Sequence, residues 1–177
     1  MADRGKAAEA VNEMIMHSER TGGLQLEQSE RSALKNEYRG LALKAIAMRK
    51  LSYVPYSHFS VGAALLGSDG VVYTGCNVEN AAYGPSNCAE RTAVFKAVSE
   101  GCRSFKAIAI AGARDDKEGS DICPPCGVCR QVLREFCEPD ELEIICVSAD
   151  SSENITGWRI YRLSELLMDS FGPANIK

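Results

Sequence analysis

The stretch VGAALLGSDGVVYTGC, residues 61–76, decides the fold. Val61 to Leu66 and Val71 to Cys76 are apolar, and Ser68-Asp69-Gly70 between them supplies turn residues with a glycine where positive φ is needed. This pattern predicts an antiparallel hairpin that starts a sheet. Upstream, Leu34, Tyr38, Leu41, Ala42, Ala45, Ile46 and Met48 recur near a helical period. They predict a long helix over Glu30 to Leu51 with one buried face and a cap at Ser29. Downstream, a loop from Asn77 to Asn87 leads to a second helix carrying Ala89, Ala93, Val94, Ala97 and Val98, ended by Gly101. Ala107 to Ala111 is apolar without alternation, as in a strand buried on both faces. A polar loop, Arg114 to Asp121, precedes Pro124-Pro125 and a third helix with Val128, Val132, Leu133 and Phe136 turned inward. Leu142 to Val147 reads as a strand and Leu163 to Met168 as a short helix. The order predicts an α/β sandwich with a mixed sheet and helices on both faces.

A length of 177 residues suits one domain, and 45% hydrophobic with 25% charged residues excludes a disordered or collagen-like chain. Residues 1–28 are polar and broken at Gly22-Gly23, so a loosely ordered N-terminal extension is expected there, with the domain over 29–177. A net charge of −4 and 7% aromatic residues weigh against a nucleic-acid partner. No apolar run approaches the ~18 residues of a membrane span, and Met1 to Gly5 does not open a secretory signal. The expectation is a cytoplasmic protein with a small, neutral partner.

Eight cysteines in such a chain are expected as thiols or metal ligands, because the cytosol keeps disulfides reduced. Cys76, Cys102, Cys137 and Cys146 stand singly and read as small buried hydrophobes. Cys126 and Cys129, three apart, place two sulfurs on one side of a helix's first turn. Cys88 begins the other strand-following helix, and right-handed crossovers bring two such starts to one edge of the sheet. Free amides at both helix starts favour negative sulfur. Three thiolates suggest zinc, and three protein ligands leave the fourth position for water, as in a catalytic rather than a structural site. Glu90, two residues after Cys88, has capping-box spacing from Asn87. It also completes the C-x-E plus P-C-x-x-C signature of zinc deaminases, in which the glutamate moves protons. Cys123 extends the run to Cys-x-x-Cys-x-x-Cys and would close the site as a fourth sulfur; with prolines between it and the helix, it is read as a spare thiol.

Four stretches resemble the small, homotetrameric, three-cysteine cytidine deaminases: Val54 to Leu66, Gly75-Cys-Asn-Val-Glu-Asn80, Cys88-Ala-Glu-Arg-Thr92 and Pro125-Cys-Gly-Val-Cys-Arg-Gln131. The resemblance covers roughly Tyr38 to Pro173 and implies a three-layer α/β/α sandwich with a five-stranded mixed sheet. It implies zinc on Cys88, Cys126 and Cys129, one ion per subunit, with Glu90 as the proton carrier and Arg91 donating to ligand sulfurs. Phe59 then resembles the residue packed on the base, and Asn77 and Glu79 the pair on the ribose hydroxyl. The resemblance also implies Ala89 as a substrate contact, while Tyr83 and Phe171 resemble residues given across subunit boundaries to shared sites. His58 reads as a hydrogen-bonded structural histidine. The implied reaction is hydrolytic deamination of cytidine and 2'-deoxycytidine in pyrimidine salvage. A deaminase of a nucleoside antibiotic such as blasticidin S, a polynucleotide editor and a non-catalytic zinc-stabilised module are the rival readings.

Overall fold

A computed structural model describes residues 36–115 and 122–176 of the chain. The predicted extension, the Ser29 cap and the first residues of the predicted first helix lie outside the described residues. Helix α1 (Asn36–Met48) continues as a 3-10 turn over Arg49–Leu51. Strands β1 (Phe59–Gly67) and β2 (Val72–Cys76) form the predicted hairpin, with Ala64 opposite Thr74. Helix α2 (Ala89–Ser99), strand β3 (Phe105–Arg114) and helix α3 (Gly127–Phe136) follow. Strands β4 (Glu143–Ala149) and β5 (Ile155–Arg162) lead to a one-turn helix α4 (Leu163–Leu166).

The sheet order is β2-β1-β3-β4-β5, parallel only between β3 and β4 and antiparallel elsewhere. This is the five-stranded mixed sheet that the resemblance implies. Hydrophobic patterning alone reveals four of its strands. In β5, Ile155, Trp158, Ile160 and Tyr161 do not alternate, and every described residue of this edge strand is half-buried or exposed. The predicted last helix is also shorter than Leu163 to Met168.

Alternation along β1 separates the layers. Ala63 and Leu65 join Ala93, Val94 and Ala97 of α2 and Leu133 of α3 in one core cluster. Gly62 faces the other way, where a Cβ would stand 2.0 Å from the Ala45 carbonyl of α1. Gly75 does the same for α2, since a Cβ there would lie 2.4 Å from the Ala89 carbonyl and 2.5 Å from the Ala93 amide. Two bare glycines thus let one helix settle on each face. Helix α2 ends as predicted at Gly101, whose φ of 96° lets Gly101 N–H bond Val98 O and Cys102 N–H bond Ala97 O.

Candidate metal centre and pocket

Helices α2 and α3 are both preceded by a cysteine. Cys88 caps α2 and Cys126 caps α3, each in extended conformation and neither with a side-chain capping bond. A serine or aspartate would spend its side chain on the helix amides; these sulfurs turn to one another instead. Cys88 Sγ lies 3.9 Å from Cys126 Sγ, and Cys126 Sγ lies 3.4 Å from Cys129 Sγ. All three sulfurs fall within 4.8 Å of one another, close enough to hold one metal ion. Cys123 is outside this group. Its sulfur packs over Gly112, beside the Phe59 ring, and burial pushes its thiol up to about 11.

Asn87 does not cap α2. Its Nδ2 donates to Thr92 Oγ1 at 3.0 Å, and the cap position has moved one residue on to Cys88. Glu90 is therefore free of the capping box that its spacing from Asn87 allows. It is 5% exposed, and burial raises its carboxyl above the ordinary range. Arg91 Nη2 donates to Ser86 O at 3.1 Å and reaches Cys88 Sγ at 3.7 Å, while its buried Nε has no partner. Hydrogen bonding from Cys129, then from Arg91, holds the Cys88 thiol well below its usual range. Three soft sulfurs, one drawn toward thiolate by a guanidinium, form a donor set that fits zinc.

In front of the sulfurs lies a cavity of about 320 Å³, lined by Val61, Asn77, Glu79, Cys88, Glu90 and Cys123 among others. Asn77 joins it to the hairpin: Oδ1 accepts from Val61 N–H at 2.8 Å and Nδ2 donates to Phe59 O at 2.9 Å. Glu79 Oε2 accepts from the amides of Tyr56 and Ser57, and hydrogen bonding from Ser57 holds its carboxyl below the usual range. Val78 and Asn87 exchange both backbone bonds and close the loop that carries Tyr83. Tyr83, φ 53°, is 73% exposed and meets only the edge of Tyr56, 6.1 Å between ring centres, among the ring pairs of the described residues. Phe171 is 62% exposed and Ala89 fully buried; neither they nor Tyr83 nor Phe59 line the cavity. His58 is exposed at φ 53° and is anchored through its backbone, accepting from Asp115 N–H. The wall residues Val61 and Pro124 carry no polar signature and escape a search for chemistry-bearing side chains.

A family model described as the cytidine and deoxycytidylate deaminase zinc-binding region matches residues 35–145. A cytidine deaminase of Sporosarcina psychrophila is 62% identical over 89 residues, which cover 50% of this chain and 62% of that protein. One of Mycobacterium tuberculosis strain H37Rv is 43% identical over 137 residues, covering 77% of this chain and 89% of the relative. Among solved structures, the cytidine deaminase of Burkholderia pseudomallei superimposes with a TM-score of 0.64 at 44% identity, covering 76% of this chain and 98% of that one. With the family model spanning both cysteine-bearing helix starts, the chain belongs to the cytidine and deoxycytidylate deaminase family.

Proposed function

We propose that the protein hydrolyses cytidine and 2'-deoxycytidine to uridine and 2'-deoxyuridine with release of ammonia. The observation that carries this reading is the convergence of three cysteine sulfurs beside buried Glu90 at the back of a nucleoside-sized cavity. In it, Cys88, Cys126 and Cys129 hold one zinc, which supplies Lewis acidity that makes water a nucleophile near neutral pH. Arg91 donates toward sulfur and offsets part of the thiolate charge. Glu90 takes one proton of the attacking water and passes it to ring N3, then takes the remaining proton from the hydroxyl added at C4 and delivers it to the departing 4-amino group, which leaves as ammonia. Its burial suits that task, since a carboxyl with a raised pKa both receives and returns a proton.

The family resemblance assigns Phe59 to the face of cytidine's ring and Ala89 to the base, although neither lines the cavity within one chain. Asn77 and Glu79 meet the sugar hydroxyl. Asn77 spends one lone pair and one N–H on β1 and keeps the others for a ligand. A free nucleoside is favoured over a nucleotide: Glu79 and Glu90 line the cavity, and Arg91, its one lining cation among the described residues, is already engaged. Exposed Tyr83 and Phe171 fit a homotetramer in which each completes a neighbour's site. Cytoplasmic pyrimidine salvage is the setting we infer; among the described residues no helix is long and apolar enough to cross a membrane.

The test is ammonia release from cytidine, CMP, single-stranded DNA and blasticidin S, each with and without a chelator. Chelator-sensitive turnover highest on cytidine supports the proposal. Preference for blasticidin S or DNA, or tightly bound zinc without ammonia release, contradicts it.

A further inference from the structure

The motif that carries Cys126 and Cys129 runs on into Arg130 and Gln131, to which the chemistry above gives no task. Side chains on a helix lean toward its N-terminus, and Arg130 sits one turn after Cys126. Its Nε donates back to Pro125 O at 2.7 Å, while Nη1 donates to Leu166 O at 2.8 Å. Neither acceptor belongs to a helical ladder. Pro125 is fully buried and immediately precedes the cap residue Cys126, and Leu166 ends the one-turn helix α4. One guanidinium therefore satisfies two carbonyls that the helices themselves leave over.

The next polar residues of α3 extend the same seam. Gln131 Nε2 donates to Phe171 O at 3.0 Å. Buried Arg134 donates from Nε to Ser170 Oγ at 3.2 Å, and Gly172 lies flat on it, where a Cβ would come within 2.6 Å of the guanidinium carbon. These side chains bind the segment from Leu166 to Gly172 along α3, and among them Arg130 also grips the residue before a site cysteine.

We propose that Arg130 is a positioning residue: its two-carbonyl bridge fastens the Pro125–Cys126 turn to the C-terminal segment and so holds the Cys126 sulfur in place beside Cys88 and Cys129. The inference rests on the reading of those cysteines as zinc ligands and adds to it a residue that touches neither metal nor substrate. Geometry, not charge, is the agent. Lysine keeps the charge of Arg130 but lacks the planar fork that spans both carbonyls.

The experiment follows zinc release from the holoenzyme to excess 4-(2-pyridylazo)resorcinol, alongside melting temperature, in the wild type, Arg130→Lys, Arg130→Gln and Arg134→Gln. Loss of such outer support weakens metal sites by about tenfold or more. Release about tenfold faster in both Arg130 variants is expected, with the wild-type rate in Arg134→Gln even though it frees the C-terminal segment. If Arg130→Gln does not fold, Arg130→Lys carries the test. A wild-type rate in Arg130→Lys overturns the bridge, and so does equal acceleration in Arg134→Gln, which would mark general loosening. Wild-type protein without zinc would instead bring down the ligand reading itself.

Discussion

At Cys88 and Cys126 the residue that begins each helix brings no capping oxygen, so the usual stabilisation of about 1 kcal/mol per helix start is given up. What is gained is a pair of sulfurs aimed at one point from two elements 38 residues apart in sequence. The account makes two predictions here. Glu90→Gln, which keeps the size of the side chain but cannot carry a proton, retains one zinc per chain by metal analysis and loses about 10²- to 10⁴-fold in kcat. Cys126→Ser loses zinc, whereas Cys123→Ser keeps it, because the Cys123 sulfur lies outside the group and packs on Gly112 and Phe59. Zinc content after gel filtration distinguishes the two; retention in Cys126→Ser or loss in Cys123→Ser contradicts the assignment.

The elements hold these residues through close backbone approaches. Gly75→Ala would drive a Cβ into the backbone of α2 at Ala89 and Ala93, the turn that presents Cys88 and Glu90. Overpacking of this kind costs about 1–3 kcal/mol, read as a lower urea midpoint with unchanged slope. The hairpin turn gives a pH prediction. Asp69 accepts from Val71 N–H and Tyr73 OH, and these bonds hold its carboxyl below the usual range. A depressed folded-state pKa stabilises fully above the unfolded value of about 3.9, and this is lost as pH falls through the folded value. Wild type should therefore exceed Asp69→Asn in stability at pH 7 and converge with it as the pH falls below the ordinary carboxylate range; a gap that stays constant with pH contradicts this. The hairpin, α1 and both cysteine-bearing helices were legible because apolar period, glycine stops and motif spacing agree there. Strand β5 was not, since an edge strand needs no alternation that a sequence displays. Spacing alone did not decide between Asn87 and Cys88 as the cap, because N-x-x-E fits a capping box while C-x-E fits a helix that starts one residue later. The Arg130 bridge left no trace because its acceptors are backbone carbonyls, which every residue carries.

Across the whole molecule, the sheet acts as the plate on which two helix starts are set edge to edge, with α1 sealing the opposite face. The exposed rings of Tyr83 and Phe171 do not line the cavity of their own chain, which fits the proposed tetramer with shared sites. Its native mass should be four times 19.2 kDa by sedimentation equilibrium. Mixing Glu90→Gln with Phe171→Ala subunits should restore turnover above either alone, because some sites then pair an intact glutamate with a neighbour's phenylalanine; no restoration contradicts shared sites. All of this presupposes a metal whose protein ligands number three. Zinc K-edge X-ray absorption on the purified holoenzyme reads that number directly. The account predicts three sulfurs near about 2.3 Å and one oxygen or nitrogen, and a shell of four sulfurs, or a protein that binds no zinc, would contradict it.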